Sequence, residues 1–267
     1  MTALIKKFYG DHRLGIILMT FGLLLYQWML ISLYPIFQKL DIEKISQQQP
    51  KALLGLFGGT GIKLPFSTLE GFFNGEYLAL GFLFIFAGYL IALVTAEFTK
   101  ETENGTMESL LSLPVSRTMV VGYKYVNITL LTAYFTVIGI VPFILMSIAS
   151  DFHFSKSAFF VVAILTFLFY WTIASLTSAL SVFFNERNKP VFIILFILGY
   201  GFILNGLGQT FDKLKDYRVL TIFYYYDTVK ALGEKTIGIP SLAVFGVLIV
   251  ISTVFSFYWF TKRDFAN

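Results

Sequence analysis

Residues 157–184 read SAFFVVAILTFLFYWTIASLTSALSVFF, 28 residues without a single Asp, Glu, Lys, Arg or His. As a helix this run rises about 42 Å, more than the roughly 30 Å of hydrocarbon in a bilayer. As an open strand it would leave its backbone N–H and C=O groups unsatisfied in lipid. A membrane-spanning helix follows.

Five further runs repeat the pattern: 14–37, 77–96, 125–149, 190–207 and 241–260, again without charge or histidine. Across the 267 residues only 13% are charged, 57% are hydrophobic, and the mean hydropathy is +0.75. Soluble domains carry about 25% charged residues. The chain reads as an all-α integral membrane protein with six transmembrane helices. The run at 14–37 follows Lys6, Lys7 and Arg13, but it is too long for a signal-peptide core and is expected to be retained.

Six spans place both termini on one side. With the termini inside, the inner segments hold Lys6, Lys7, Arg13, Lys100, Arg117, Lys124, Arg187, Lys189, Lys262 and Arg263, ten of the twenty Lys and Arg. The count is a tie. The inner charges, however, lie in short segments against the span ends, where such charges orient a protein. Cytoplasmic termini and a multi-pass plasma-membrane location are therefore expected. The segment LIKKFYGDHR before the first span reads either as a short surface helix on anionic headgroups or as topogenic charge.

The outer loops carry three features. Gly55, Gly58, Gly59 and Gly61 followed by Lys63 approach a phosphate loop, but the order Gly61-Ile62-Lys63-Leu64 lacks the required Gly-Lys-Ser/Thr ending. Tyr224, Tyr225 and Tyr226 beside Phe223 read as an aromatic element at the interface, with a substrate exit surface as the sharper alternative. Gly199, Gly201, Gly206 and Gly208 mark a subunit seam or an internal packing groove.

Catalytic and metal chemistry find little footing. There is no cysteine, which excludes disulfides and thiolate sites. His12 and His153 fall on opposite sides, so no metal site is expected, and no span pairs a Ser or Thr with an ionisable partner. Proton-coupled carriers use ionisable residues within the membrane; sodium coupling through carbonyls and hydroxyls stays open. No nucleic-acid partner is expected.

Against this apolar background stands ETENGTMESLLSLPVSR, Glu101 to Arg117, between the second and third spans. Asn104 reads as an N-cap, with Glu101 and Glu103 near the positive end of a short helix. Met107, Leu110, Leu111 and Pro114 follow i, i+3, i+4, i+7 spacing and form one apolar stripe. Such a helix is too short to stand alone and needs a surface for its stripe: the bilayer, the protein's own spans, or a partner's groove.

These residues, with Lys124 before the third span, resemble the loop between the second and third spans of ABC-2 type transporter permeases. The segment STLEGFFNGEYL before the second span and the terminal TKRDFAN are similar to that family as well. The resemblance implies a single permease domain over 1–267, with a cytoplasmic coupling helix docked on a separate ABC ATP-binding subunit. Glu103, Gly105, Thr106, Glu108, Leu110, Leu111, Leu113, Pro114 and Arg117 would be its coupling residues, braced by Glu97. ATP and Mg would be bound by that partner and no cofactor by this chain, which is then no enzyme itself. Six spans are half the family's usual set, which implies a second permease, identical or related. The expected function is export of an apolar or amphipathic cargo, since the spans hold no charge. Tyr26, Gln27, Trp28, Tyr134, Tyr170, Trp171 and Asn205 are candidates to line a path, each read first as packing. An ion-coupled secondary carrier and a non-transporting immunity or sensor subunit are the alternatives; the substrate residues stay unassigned.

Overall fold

The computed structural model describes residues 2–39, 64–103, 116–184 and 186–262, without the side chains of 2–5 and 100–103. Among the described residues there is no strand. A short helix, Thr2–Asp11, precedes six long apolar helices: span 1 Arg13–Lys39, span 2 Leu69–Thr99, span 3 Arg117–Ala149, span 4 Lys156–Phe183, span 5 Asn188–Thr210 and span 6 Ile239–Lys262. Each expected run lies inside one of these helices, except that span 4 ends at Phe183, one residue before the expected Phe184. Two short 3-10 helices, Asp212–Leu214 and Asp216–Leu220, and two short α-helices, Ile222–Tyr225 and Thr228–Gly233, form a cap between spans 5 and 6.

Span 4 is the hub, packed against spans 2, 3 and 6. In lipid the surroundings are as apolar as leucine, so helices associate through close packing and polar contacts rather than the hydrophobic effect. Span 4 is built for close approach. Ala158, Ala174, Ser175, Thr177, Ser178 and Ser181 are buried. Four of its hydroxyls return to their own helix: Thr172 to Leu168 O at 2.8 Å, Thr177 to Ile173 O at 2.7 Å, Ser178 to Ala174 O at 2.8 Å and Ser181 to Thr177 O at 2.7 Å. Burial of the apolar windows falls from 56% in spans 2 and 4 to 22% in span 1 and 28% in spans 5 and 6, so the last three form the outer wall.

Span 2 begins earlier than its apolar run predicts. The helix starts at Leu69, and Leu69, Phe72, Phe73 and Tyr77 are fully buried. STLEGFFNGEYL is thus the opening of span 2, not a loop before it. Glu70, Asn74 and Glu76 interrupt the hydropathy, yet the side chains of Glu70 and Asn74 and the main chain of Glu76 each hold a tertiary contact. Glu70 Oε1 accepts from the Ser155 N–H at 2.7 Å, Asn74 Oδ1 accepts from the Thr228 hydroxyl, and Glu76 O accepts from the Tyr26 hydroxyl at 2.7 Å.

Phe73–Gly81 is π-helical before the α-helix resumes at Phe82. The wider turn carries i→i+5 hydrogen bonds and recurs at functional sites. Here it aligns residues five apart: the Tyr77 and Phe82 rings stack with centroids 5.1 Å apart. Gln27 of span 1 locks the register, its Nε2 donating to Tyr77 OH at 3.0 Å and to Ile138 O at 2.9 Å.

Candidate functional site at the span ends flanking residues 104–115

The expected coupling residues Gly105, Thr106, Glu108, Leu110, Leu111, Leu113 and Pro114 lie outside the described residues. The helices on either side are described. Span 2 continues without a break to Glu103. Glu101 and Glu103 therefore belong to its last turn rather than to the start of a new helix.

Arg117, expected to close the polar helix, instead opens span 3. Ser116 caps that helix, its hydroxyl accepting from the Met119 N–H at 3.2 Å. Arg117 Nη1 donates to Thr261 O at 3.2 Å. The start of span 3 is thereby tied to the end of span 6.

Lys124 was expected just ahead of the third span, yet it sits two turns inside that helix and is fully buried. Burying an ammonium costs several kcal/mol unless hydrogen bonds compensate. Lys124 Nζ donates to the main-chain oxygen of Glu97 in span 2. The same ammonium lies 5.5 Å from the Phe98 ring centroid, within cation–π range. Glu97 is itself buried, with Oε2 4.0 Å from His12 Nε2. The expectation of spans without buried charge is thus corrected: the helices extend past their apolar runs, and there Glu97 and Lys124 are enclosed by protein.

Above this junction, Tyr125 OH donates to Ser256 Oγ at 2.8 Å, a second link between spans 3 and 6. The N-terminal segment and spans 2, 3 and 6 therefore converge through polar contacts on the face from which residues 104–115 depart.

A family model described as ABC-2 family transporter protein matches residues 6–265. The chain belongs to this family. It is a membrane transport domain, a multi-pass permease of the ABC transporter type, and not a catalytic ATPase. Proteins of this family work with an ATP-binding subunit. No curated protein and no solved structure matches the chain.

The candidate path residues of this ABC-2 permease divide sharply. Tyr26 and Gln27 serve the contact of spans 1 and 2. Trp28 is 63% exposed on the outer wall. Tyr134 shares a 3.0 Å hydrogen bond with Thr20, and buried Tyr170 donates to Phe82 O at 3.0 Å. Trp171 Nε1 is buried without a hydrogen-bond partner among the described residues. Asn205 alone of the seven lines the large cavity of the opposite face. The glycines also separate. Gly201 and Gly208 receive the cap that follows span 5, whereas a Cβ at Gly199 would meet open space.

Proposed function

We propose that this chain is the membrane-spanning subunit of an ATP-driven exporter in the plasma membrane, with cytoplasmic termini. A separate ATP-binding subunit docks on residues 103–117, and a second permease, identical or related, completes the pathway. The observation that carries this reading is the Lys124–Glu97 clamp, together with the Arg117–Thr261 link. The two helices that bracket the polar segment are joined to each other and to span 6, as a lever needs. ATP binding closes the ATPase pair, pushes the segment and tilts spans 2, 3 and 6 together. Spans 1, 5 and 6, the least covered, supply the faces for lipid and for the second permease.

The test is affinity purification of the tagged chain from its native membrane in mild detergent, with mass spectrometry of what accompanies it. A stoichiometric ATP-binding subunit, lost when Leu110→Asp and Leu111→Asp are combined, is the expected result. Recovery of the chain alone in several detergents, or retention of the ATPase by the double variant, removes the docking role.

A further inference from the structure

On the face opposite the termini, a cavity of about 680 Å³ opens between spans 2, 4, 5 and 6 and the cap. Sites that hold drug-sized ligands span roughly 300–1,000 Å³. Its walls are of two kinds. Leu83, Leu165 and Phe202 make an apolar side, while Arg218, Asn205 and Tyr224 make a polar one.

Arg218 is the focus of the polar wall. Its Nε donates to Asn205 Oδ1 at 3.1 Å, and its guanidinium carbon lies 5.4 Å from the Tyr224 ring centroid. Its two terminal nitrogens make no hydrogen bond to a described residue. Half-burial lowers its pKa from the ordinary arginine value, with Tyr224 and Asp227 acting in the opposite direction; an arginine starting so high keeps its charge. The backbone makes room for it. A Cβ at Gly208 would stand 2.4 Å from Arg218 Cγ, so the arginine stem lies where only glycine leaves space.

The other charged groups on the wall have contacts of their own, Asp227 with the main-chain N–H that it caps and Lys230 with Glu234. Asp227 Oδ1 accepts from the Lys230 N–H at 2.9 Å, and Lys230 Nζ lies 4.0 Å from Glu234 Oε2. What stays available is a planar fork of donors, oriented by an amide and a ring, above an apolar wall. That fork matches a carboxylate or phosphate. Ile239, between cavity-lining Gly238 and Pro240, is 81% exposed, and Leu220, two residues past Arg218, is 78% exposed. An apolar rim of this kind belongs against acyl chains.

We propose that this cavity is a binding site for an oxyanionic headgroup carried on an apolar body, with Arg218 holding the oxyanion and the Leu83–Leu165–Phe202 wall receiving the body. The site is a property of this chain alone and does not rest on the transporter reading.

The test uses the purified full chain in detergent, with phosphatidylglycerol, phosphatidylcholine and inorganic phosphate as probes and native mass spectrometry as the readout. One phosphatidylglycerol per chain is expected at an affinity at least tenfold above phosphatidylcholine. Arg218→Gln should remove that preference, whereas Arg218→Lys should retain part of it and Lys215→Gln, at an exposed lysine of the same cap, all of it. Displacement of the lipid by millimolar phosphate would assign the site to a free oxyanion; resistance to displacement would assign it to the lipid. In a Val229→Cys chain, whose single thiol would line the cavity, phosphatidylglycerol should slow labelling by a water-soluble maleimide several-fold. Equal binding of the two lipids, full binding by Arg218→Gln, or unchanged labelling of Val229→Cys overturns the proposal. The thiol measurement holds even if the Arg218 variants fold poorly.

Discussion

The ammonium of Lys124, enclosed in span 3, donates to the main-chain carbonyl of Glu97 in span 2. Both residues belong to helix ends that flank the polar segment. A buried ammonium without an acceptor would be costly, and the Glu97 carbonyl supplies one from the neighbouring span. Lys124→Ala removes that cation and leaves a void. The expected cost is about 2–4 kcal/mol, read as a fall of several degrees in the thermal midpoint in detergent. Lys124→Met fills the void without the charge and should cost less than half as much. A midpoint unchanged in Lys124→Ala would mean that the contact does not hold the two spans together.

Gln27 makes a second polar joint, between span 1, the π-helical part of span 2 and span 3. Gln27→Leu leaves Tyr77 OH and Ile138 O without their donor. Interhelical hydrogen bonds in membranes average about 0.6 kcal/mol, with a maximum near 1.7 kcal/mol. A loss of about 1–2 kcal/mol is expected here, since one side chain serves two acceptors. In a double-mutant cycle with Tyr77→Phe, measured by unfolding in mixed micelles, the two changes should be non-additive. Strict additivity would show that the Gln27–Tyr77 bond contributes nothing.

Gly71 stands where span 2 turns back against the preceding chain. A Cβ there would lie 2.1 Å from Pro65 O and 2.7 Å from Pro65 C. Both are backbone atoms and cannot swing aside. Gly71→Ala should therefore displace residues 64–68 and cost at least the 1–3 kcal/mol typical of overpacking. Gly88→Ala, in the same span with nothing within 4 Å of its Cβ, is the matched control and should be neutral. Equal midpoints for the two variants would contradict the close approach at Pro65.

The six spans were legible in the sequence because the bilayer imposes a length and a polarity that few soluble helices meet. Their ends were less so, because a charged residue reads as a boundary whether or not protein encloses it. Glu70, Asn74 and Glu76 hid the first turns of span 2, and Lys124 hid the first two turns of span 3. In each case a tertiary partner, such as Ser155 N, Thr228 or Glu97 O, settles the burial, and spacing along the chain cannot name it. Glu97 and Lys124 were visible as flanks of the polar segment, but their pairing joins residues 27 apart in sequence. Arg218 drew no attention among DYRVLTIFYYYD, since its role depends on Gly208 and Asn205 of span 5. The nearest signal was the glycine cluster, which marks where that cap is received.

The orientation of the chain can be tested at Ser112, in the polar segment, because the protein has no cysteine of its own. With cytoplasmic termini, a Ser112→Cys chain in intact cells should resist a membrane-impermeant maleimide and react only after the membrane is opened. Lys213→Cys, at an exposed position in the cap of the opposite face, should show the reverse and react in intact cells. Both sites flank described helices, so each reports the side of a defined span end. The two labels together fix the direction of spans 3 and 5. Reaction of Ser112→Cys from outside would place residues 103–117 beyond the reach of a cytoplasmic ATPase. It would also move the Arg218 cavity to the cytoplasmic leaflet, where an oxyanionic headgroup would have to be drawn from the inner lipids.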